Sequence, residues 1–260
     1  MSEKTEVVIV GAGPVGLFAV FELGLLNINC HLIDNLDKVG GQCAELYPEK
    51  PIYDIPSRPM VTGQELTDEL LKQIQPFNPK FHLNQQVNKI SKSEYGWIVE
   101  TSVGTIIEAK CIVVAAGAGS FVPRKPPIEN IDDFENTNVF YAVRNKSIFA
   151  NKKLLIAGGG DSALDWTNEL SKNSHVTLIH RRKEFRAAPD SVNRMQELET
   201  EGKVKFLKGI IKDIKKSTNN RINVQYMLDE NIHNVEVDFL LPFFGLKMEL
   251  GPISNWGLNL

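Results

Sequence analysis

Two stretches of this chain repeat one plan, and the repeat limits the fold more than any other feature. Residues 6–34 read EVVIVGAGPVGLFAVFELGLLNINCHLID: a β-branched strand, a glycine turn, a helical run and a second short strand. Residues 153–182 read KLLIAGGGDSALDWTNELSKNSHVTLIHRR, the same succession again. The small residues fall at Gly11, Gly13 and Gly16 in the first copy and at Gly158, Gly160 and Ala163 in the second. In a dinucleotide-binding βαβ unit the first glycine allows the sharp turn. The second lets a pyrophosphate lie against bare backbone, and the third position must be small for helix and strand to close. The helix start, opened by Pro14 in one copy and by Asp161 and Ser162 in the other, offers free N–H groups and partial positive charge to the phosphates. A lone G-x-G-x-x-G is weak, but both copies follow a strand and open a helix. The repeat is a duplicated βαβ, not a short-period solenoid.

What ends the second strand separates the two candidate sites. Asp34 lies 23 residues after Gly11, and Arg181 holds the same place after Gly158. An acid there accepts hydrogen bonds from a ribose with a free 2′-hydroxyl, whereas an arginine suits a 2′-phosphate. His180, Arg182 and Arg186 add positive charge, and guanidinium groups fit phosphate bidentately. The alternative for HRRKEFR is a solvated basic loop. One unphosphorylated and one phosphorylated ribose make FAD plus NADPH the economical pair of cofactors.

Composition excludes more than it identifies. Apolar residues at 42% and charged residues at 23% are those of a soluble globular protein. A net charge of −3 argues neither for nucleic acid nor for an anionic membrane surface. The N-terminal apolar run is too short for a signal peptide, and no stretch approaches the roughly 18 apolar residues of a membrane span. Three cysteines, none at C-x-x-C or zinc-ligand spacing, suit a reducing cytoplasm.

CIVVAAGAGSF (111–121) and DFLLPFFGLK (238–247) read as the two places where the chain leaves a first domain and returns to it. The expected organisation is an α/β protein of two Rossmann-like, three-layer ββα dinucleotide-binding domains of the two-dinucleotide flavoprotein type. An FAD-binding domain over 1–117 is followed by an NADP-binding domain over 118–243 and a return over 244–260. Leu66, Leu70, Leu71 and Ile74 have helical spacing within 64–75, and 81–109 suggests a small β-meander beside the first domain.

GAGPVGL (11–17), GGQCAELYPEKPIYDIP (40–56), AAGAGSF (115–121), GGGDSALDW (158–166), HRRKEFRA (180–187) and FFGL with LGPISNWGL (243–258) together resemble the thioredoxin-reductase-like ferredoxin–NADP reductases, the type 2 branch. The likeness runs the length of the chain. It implies FAD contacts from Asp34 on the adenosine ribose, Gly41, Gln42 and Tyr47 near the flavin, Val87 beside the adenine, and Phe121. It also implies that Tyr47 lies flat on the isoalloxazine with its hydroxyl free for water.

Cys43, two residues after the glycine pair Gly40 and Gly41, raises the question of a redox disulfide. A glutathione-reductase-like partner would stand at position 48, which is Pro48, and the C-x-x-C of thioredoxin reductases would fall within 118–243, where there is no cysteine. Cys30 and Cys111 read as small core residues on strands and Cys43 as a loop filler. Without a dithiol, electrons must leave the flavin another way, and the resemblance implies single-electron release to ferredoxin or flavodoxin, with a homodimer. Lys146, Lys152 and Lys153 are candidates for docking such an acidic carrier, or a plain solvated face. Family members continue past NWGL into a segment that completes the flavin cradle. This chain ends at Leu260, so it is expected to be a fragment or a degenerate form, and the intact motifs point to the fragment. Two other readings stay open: a disulfide or quinone reductase of the same plan, and a non-catalytic NADP-binding module.

Overall fold

The computed structural model describes residues 2–119, 122–247 and 249–259. They form two compact units, Met1–Phe121 with Met248–Leu260, and Val122–Lys247, where 118–243 was expected for the second.

In the first unit β1 (Glu3–Val10) passes through the glycine turn into α1 (Pro14–Leu25) and returns as β2 (Cys30–Ile33). A short helix α2 (Gly41–Glu45), two-residue strands β3 (Pro51–Ile52) and β4 (Val61–Thr62), and α3 (Gly63–Ile74) follow. Strands β5 (Lys80–His82), β6 (Val87–Lys92), β7 (Trp97–Thr101) and β8 (Ile106–Val114) complete one sheet of order β5-β2-β1-β8-β7-β6. β5, β2, β1 and β8 are parallel, and β8, β7 and β6 are antiparallel. The meander is therefore not separate: β8 is both its last strand and the parallel neighbour of β1.

The second half of β1, residues 7–10, is an unbroken apolar run because both its faces are covered. Val7 and Ile9 pack with Leu17, Val20 and Ile74 of the helices, while Val8 and Val10 pack with Val87, Val99 and Ile107 of the meander. Each such side chain contributes about 1.5–3 kcal/mol on burial. α3 starts on a capping box: Glu65 N–H donates to the Thr62 hydroxyl at 3.2 Å, and the Glu65 carboxylate accepts from Thr62 N–H at 2.8 Å. Cys30 is buried as expected, but Cys111 is exposed: it lies in a gap on β8 between the buried Ala109 and the partly buried Ile112 and Val113. Cys43 is buried in α2 and is not in a loop.

The second unit holds β9 (Val122–Pro123), β10 (Lys153–Ala157), α4 (Asp161–Leu170), β11 (His175–His180), α5 (Pro189–Thr200) and β12 (Val204–Lys208). β13 (Ile210–Lys216), β14 (Ile222–Leu228), β15 (Asn231–Val237), β16 (Phe239–Pro242) and β17 (Leu246–Lys247) follow. A parallel sheet of order β12-β11-β10-β16 lies under an antiparallel sheet β13-β14-β15, with Leu155, Ala157, Ile179 and Leu240 packed against Ile211, Val224 and Val237. α4 lays its buried Ala163, Leu164 and Leu170 on the parallel strands. Helix, parallel sheet and antiparallel sheet make the three layers expected of a dinucleotide-binding unit. Among the described residues no helix is long and apolar enough to cross a membrane.

Candidate functional site

Each unit has one cleft at the C-terminal ends of its parallel strands, the place where open α/β sheets bind ligands. The first, of about 330 Å³, is lined by Gly11, Gly13 and Pro14 of the glycine turn, by Asp34, and by Gly41, Gln42 and Tyr47. Val87, Gln85, Gln86, Gly117, Leu250 and Ile253 complete it.

The turn is built by close approach. Gly11 has φ +108°, and a Cβ on it would stand 2.4 Å from the Ala115 carbonyl oxygen. A Cβ on Gly16 would stand 2.0 Å from the Gly11 carbonyl oxygen, so Gly16 closes α1 onto β1 and does not line the cleft. Gly13 differs: a Cβ there would meet only Gly41 Cα, at 3.8 Å, which leaves its backbone open to the cleft. No side chain caps α1, so its first-turn N–H groups are left for a ligand. That cradle fits the pyrophosphate of a dinucleotide.

Asp34 braces the same turn. One carboxylate oxygen accepts from Ala12 N–H at 2.7 Å and the other from Leu36 N–H at 3.0 Å. Val87 is buried on β6 and lines the first cleft beside Asp34 and Gln85. The Tyr47 hydroxyl is not free for water alone: the Cys43 thiol donates to it at 3.7 Å, and the Lys50 ammonium lies 5.6 Å from the ring centroid. Burial pushes both the Cys43 thiol and the Tyr47 hydroxyl up, so both stay protonated at neutral pH. Phe121 lies outside the described residues.

The second cleft, of about 810 Å³, is lined by Gly158, Gly159 and Gly160, by His180, Arg181, Arg182 and Arg186, and by Phe185 and Phe243. A Cβ on Gly160 would meet nothing within 4 Å, and no side chain caps α4, so this turn too presents bare backbone and free N–H groups. Arg186 is drawn to the turn by its own N–H, which donates to the Gly159 carbonyl at 2.6 Å. Among the described residues no ion pair holds Arg181, Arg182 or Arg186, and all three are exposed. Burial first, and the Arg181 charge next, push the His180 imidazole down, which leaves positive charge here to the arginines. Asp161, Ser162 and Ala163 do not line the cleft. Asp161 accepts from Ala188 N–H at 2.8 Å, and Ala163 is packed under the turn.

Sequence reasoning passed over Gly159, whose missing Cβ makes room for His180: a Cβ would stand 2.5 Å from the ring. It also passed over Gln85, Gln86 and Leu250, which reach the first cleft from segments with no motif of their own. Lys146 is less available than its sequence suggested, since Glu169 accepts from its ammonium at 3.0 Å.

Comparison with known proteins follows the same lines. Residues 47–259 match the family described as pyridine nucleotide-disulphide oxidoreductase, and residues 9–74 match an NAD(P)-binding Rossmann-like domain. The ferredoxin–NADP reductase of Nitrobacter hamburgensis is 54% identical over 100% of this chain and 78% of its own length. That of Parvibaculum lavamentivorans is 55% identical over 98% of this chain and 76% of its own length. The chain belongs to the ferredoxin–NADP reductase family. As a family member it is an oxidoreductase that uses FAD and NADP(H). Its fold is shared with T. acidophilum thioredoxin reductase, 18% identical with a TM-score of 0.85 over 100% of this chain and 83% of that one. A bacillithiol disulfide reductase of Staphylococcus aureus is 17% identical with a TM-score of 0.74, covering 98% and 80%.

Proposed function

We propose that the first cleft holds FAD and the second NADPH, and that the chain serves a ferredoxin–NADP reductase. The bound pair supplies hydride transfer from NADPH to flavin and release of single electrons to a carrier protein. The chain's own part is to bind and to choose. Gly13 and the α1 start would cradle the FAD pyrophosphate, Asp34 would accept from ribose hydroxyls, and Val87 would bound the adenine. Gly160 and the α4 start would do the same for NADPH, with Arg181, Arg182 and Arg186 on the 2′-phosphate. No side chain is assigned as acid or base. The observation that carries this reading is the meeting of an open glycine turn with three guanidinium groups that have no ion-pair partner among the described residues, all in one cleft.

The acceptor is a small acidic carrier, ferredoxin or flavodoxin, and the setting a cytoplasmic homodimer. Lys152 and Lys153, both exposed, are candidates for the docking face. The test is anaerobic rapid mixing of the FAD-loaded chain with NADPH or NADH, then cytochrome c reduction with and without ferredoxin. Faster flavin bleaching with NADPH and ferredoxin-dependent cytochrome reduction are expected. Equal rates for the two nucleotides, or reduction indifferent to ferredoxin, would overturn the reading.

A further inference from the structure

A third cluster of functional groups lies away from both clefts, on the three neighbouring parallel strands β1, β2 and β5. Glu3, His31 and His82 bring one donor atom each to a common point. His82 Nε2 lies 3.1 Å from His31 Nδ1, His31 Nδ1 lies 3.6 Å from Glu3 Oε2, and Glu3 Oε2 lies 4.0 Å from His82 Nε2. With metal–ligand bonds of 2.0–2.1 Å, tetrahedral zinc sets its ligand atoms about 3.3 Å apart. The three observed separations bracket that value. We propose that Glu3, His31 and His82 bind a divalent transition-metal ion of the zinc class, with water in the fourth position.

The donor set suits that ion. Two imidazoles and one carboxylate match borderline N/O preferences, while hard cations such as Ca²⁺ take an all-oxygen shell. The imidazoles are fixed before any ion arrives: His82 has a side-chain exposure of 6% and His31 of 14%, and each ring is anchored on a different strand. Glu3, at 36%, keeps the carboxylate within reach of solvent, and a groove of about 530 Å³ lined by His31, Asn78 and Lys80 gives a path inward. The groups facing the cluster are few. Lys80 donates to the same Glu3 oxygen at 2.7 Å, and its side chain is 54% exposed. Lys80 therefore competes with the ion for Glu3, and being exposed and flexible it can swing away.

This competition makes the proposal sharply testable, since removing Lys80 should strengthen a metal site whereas it would weaken a mere surface ion pair. The full 260-residue chain, stripped with EDTA, is titrated with Co²⁺ alone and followed by its visible absorption, then with Zn²⁺. One equivalent of Co²⁺ giving the strong bands of a four-coordinate site, displaced by Zn²⁺, is expected, with a rise in Tm on metal addition. Glu3→Gln and His31→Ala should each weaken Co²⁺ binding by about 100-fold or more, beyond the roughly 10- to 100-fold of an outer-shell change. Glu3→Gln alters a partly exposed side chain, so unchanged far-UV circular dichroism there separates ligand loss from unfolding. Lys80→Ala should tighten binding several-fold. No coloured complex, Co²⁺ binding that survives Glu3→Gln or His31→Ala, or weaker binding in Lys80→Ala would each overturn the site.

Discussion

The Asp34 carboxylate accepts a 2.7 Å hydrogen bond from Ala12 N–H, inside the first glycine turn. A side chain at the end of β2 thus fixes the turn that follows β1 and, through Leu36 N–H, its own downstream loop. Each oxygen keeps a lone pair for a ribose hydroxyl. Asp34→Asn keeps the shape but turns one acceptor into an NH₂ facing an N–H. Hydrogen bonds to charged groups contribute about 1.5–3 kcal/mol, so FAD affinity should fall roughly 10- to 100-fold. Tm should fall by about 2–4 °C per kcal/mol lost. Flavin fluorescence titration and a thermal melt measure the two. Unaltered FAD affinity would remove Asp34 from the ribose.

The two turns should answer a methyl group differently. Gly16→Ala places a carbon 2.0 Å from a backbone oxygen, so α1 must move off β1, at about 1–3 kcal/mol. Ala163, at the matching position, is already tolerated, and Ala163→Gly should cost only about 1 kcal/mol, from helix propensity. Urea unfolding of the two variants gives the comparison. A Gly16→Ala loss no larger than that of Ala163→Gly would mean the first turn has slack.

The thiols should separate by access. Cys111 is exposed, while Cys30 and Cys43 are buried, and burial pushes Cys30 up to about 11. Ellman's reagent should label one thiol quickly and the other two only on unfolding, and Cys111→Ser should abolish the fast phase. The same burial sets a pH dependence. A thiol that stays neutral when folded but ionises near 9.0 when unfolded contributes fully below 9.0. That contribution is lost as pH rises toward about 11, and the raised Tyr47 and Tyr141 hydroxyls act in the same direction. Urea midpoints should therefore fall between about pH 9 and about pH 11, the window between those values. A flat midpoint across that window would count against the burial of these groups.

Much of this was legible because glycine turns are dictated by backbone geometry. Gly11 and Gly158 sit where a side chain would strike a carbonyl, and that requirement is written in the sequence as glycine. The helix at 64–75 was legible from its period, and its start is fixed by Thr62 and Glu65. The exposure of Cys111 was not legible because an apolar strand segment does not say which of its residues the neighbouring elements cover. The sheet β13-β14-β15 carries no motif, and its alternating pattern, Ile222, Val224 and Tyr226 inward, emerges only against the parallel sheet it covers. Gln85 and Gln86 reach the cleft through backbone bonds, Gln85 N–H donating to the Asp34 carbonyl at 3.0 Å, and tertiary pairing of that kind leaves no local signature.

The arginine cluster gives the most direct test of cofactor choice. Arg181 stands directly after β11, Arg182 beside it, and Arg186 is tied back to Gly159, so the three converge on one cleft without ion-pair partners of their own among the described residues. Exposed guanidinium groups left unpaired in this way gain little for the fold, since surface charges contribute about 0–1 kcal/mol at best. Against a 2′-phosphate each would add about 1.5–3 kcal/mol. Arg181→Gln and Arg182→Gln should each lower kcat/KM for NADPH roughly 10- to 100-fold, since about 1.4 kcal/mol is tenfold. Values for NADH, which has no 2′-phosphate, should hold within about twofold, and Tm should be unchanged. Raising ionic strength should narrow the NADPH preference of the unaltered chain and leave NADH alone. If instead both nucleotides weaken together, the arginines act on the shared pyrophosphate and the choice of cofactor lies elsewhere in the cleft.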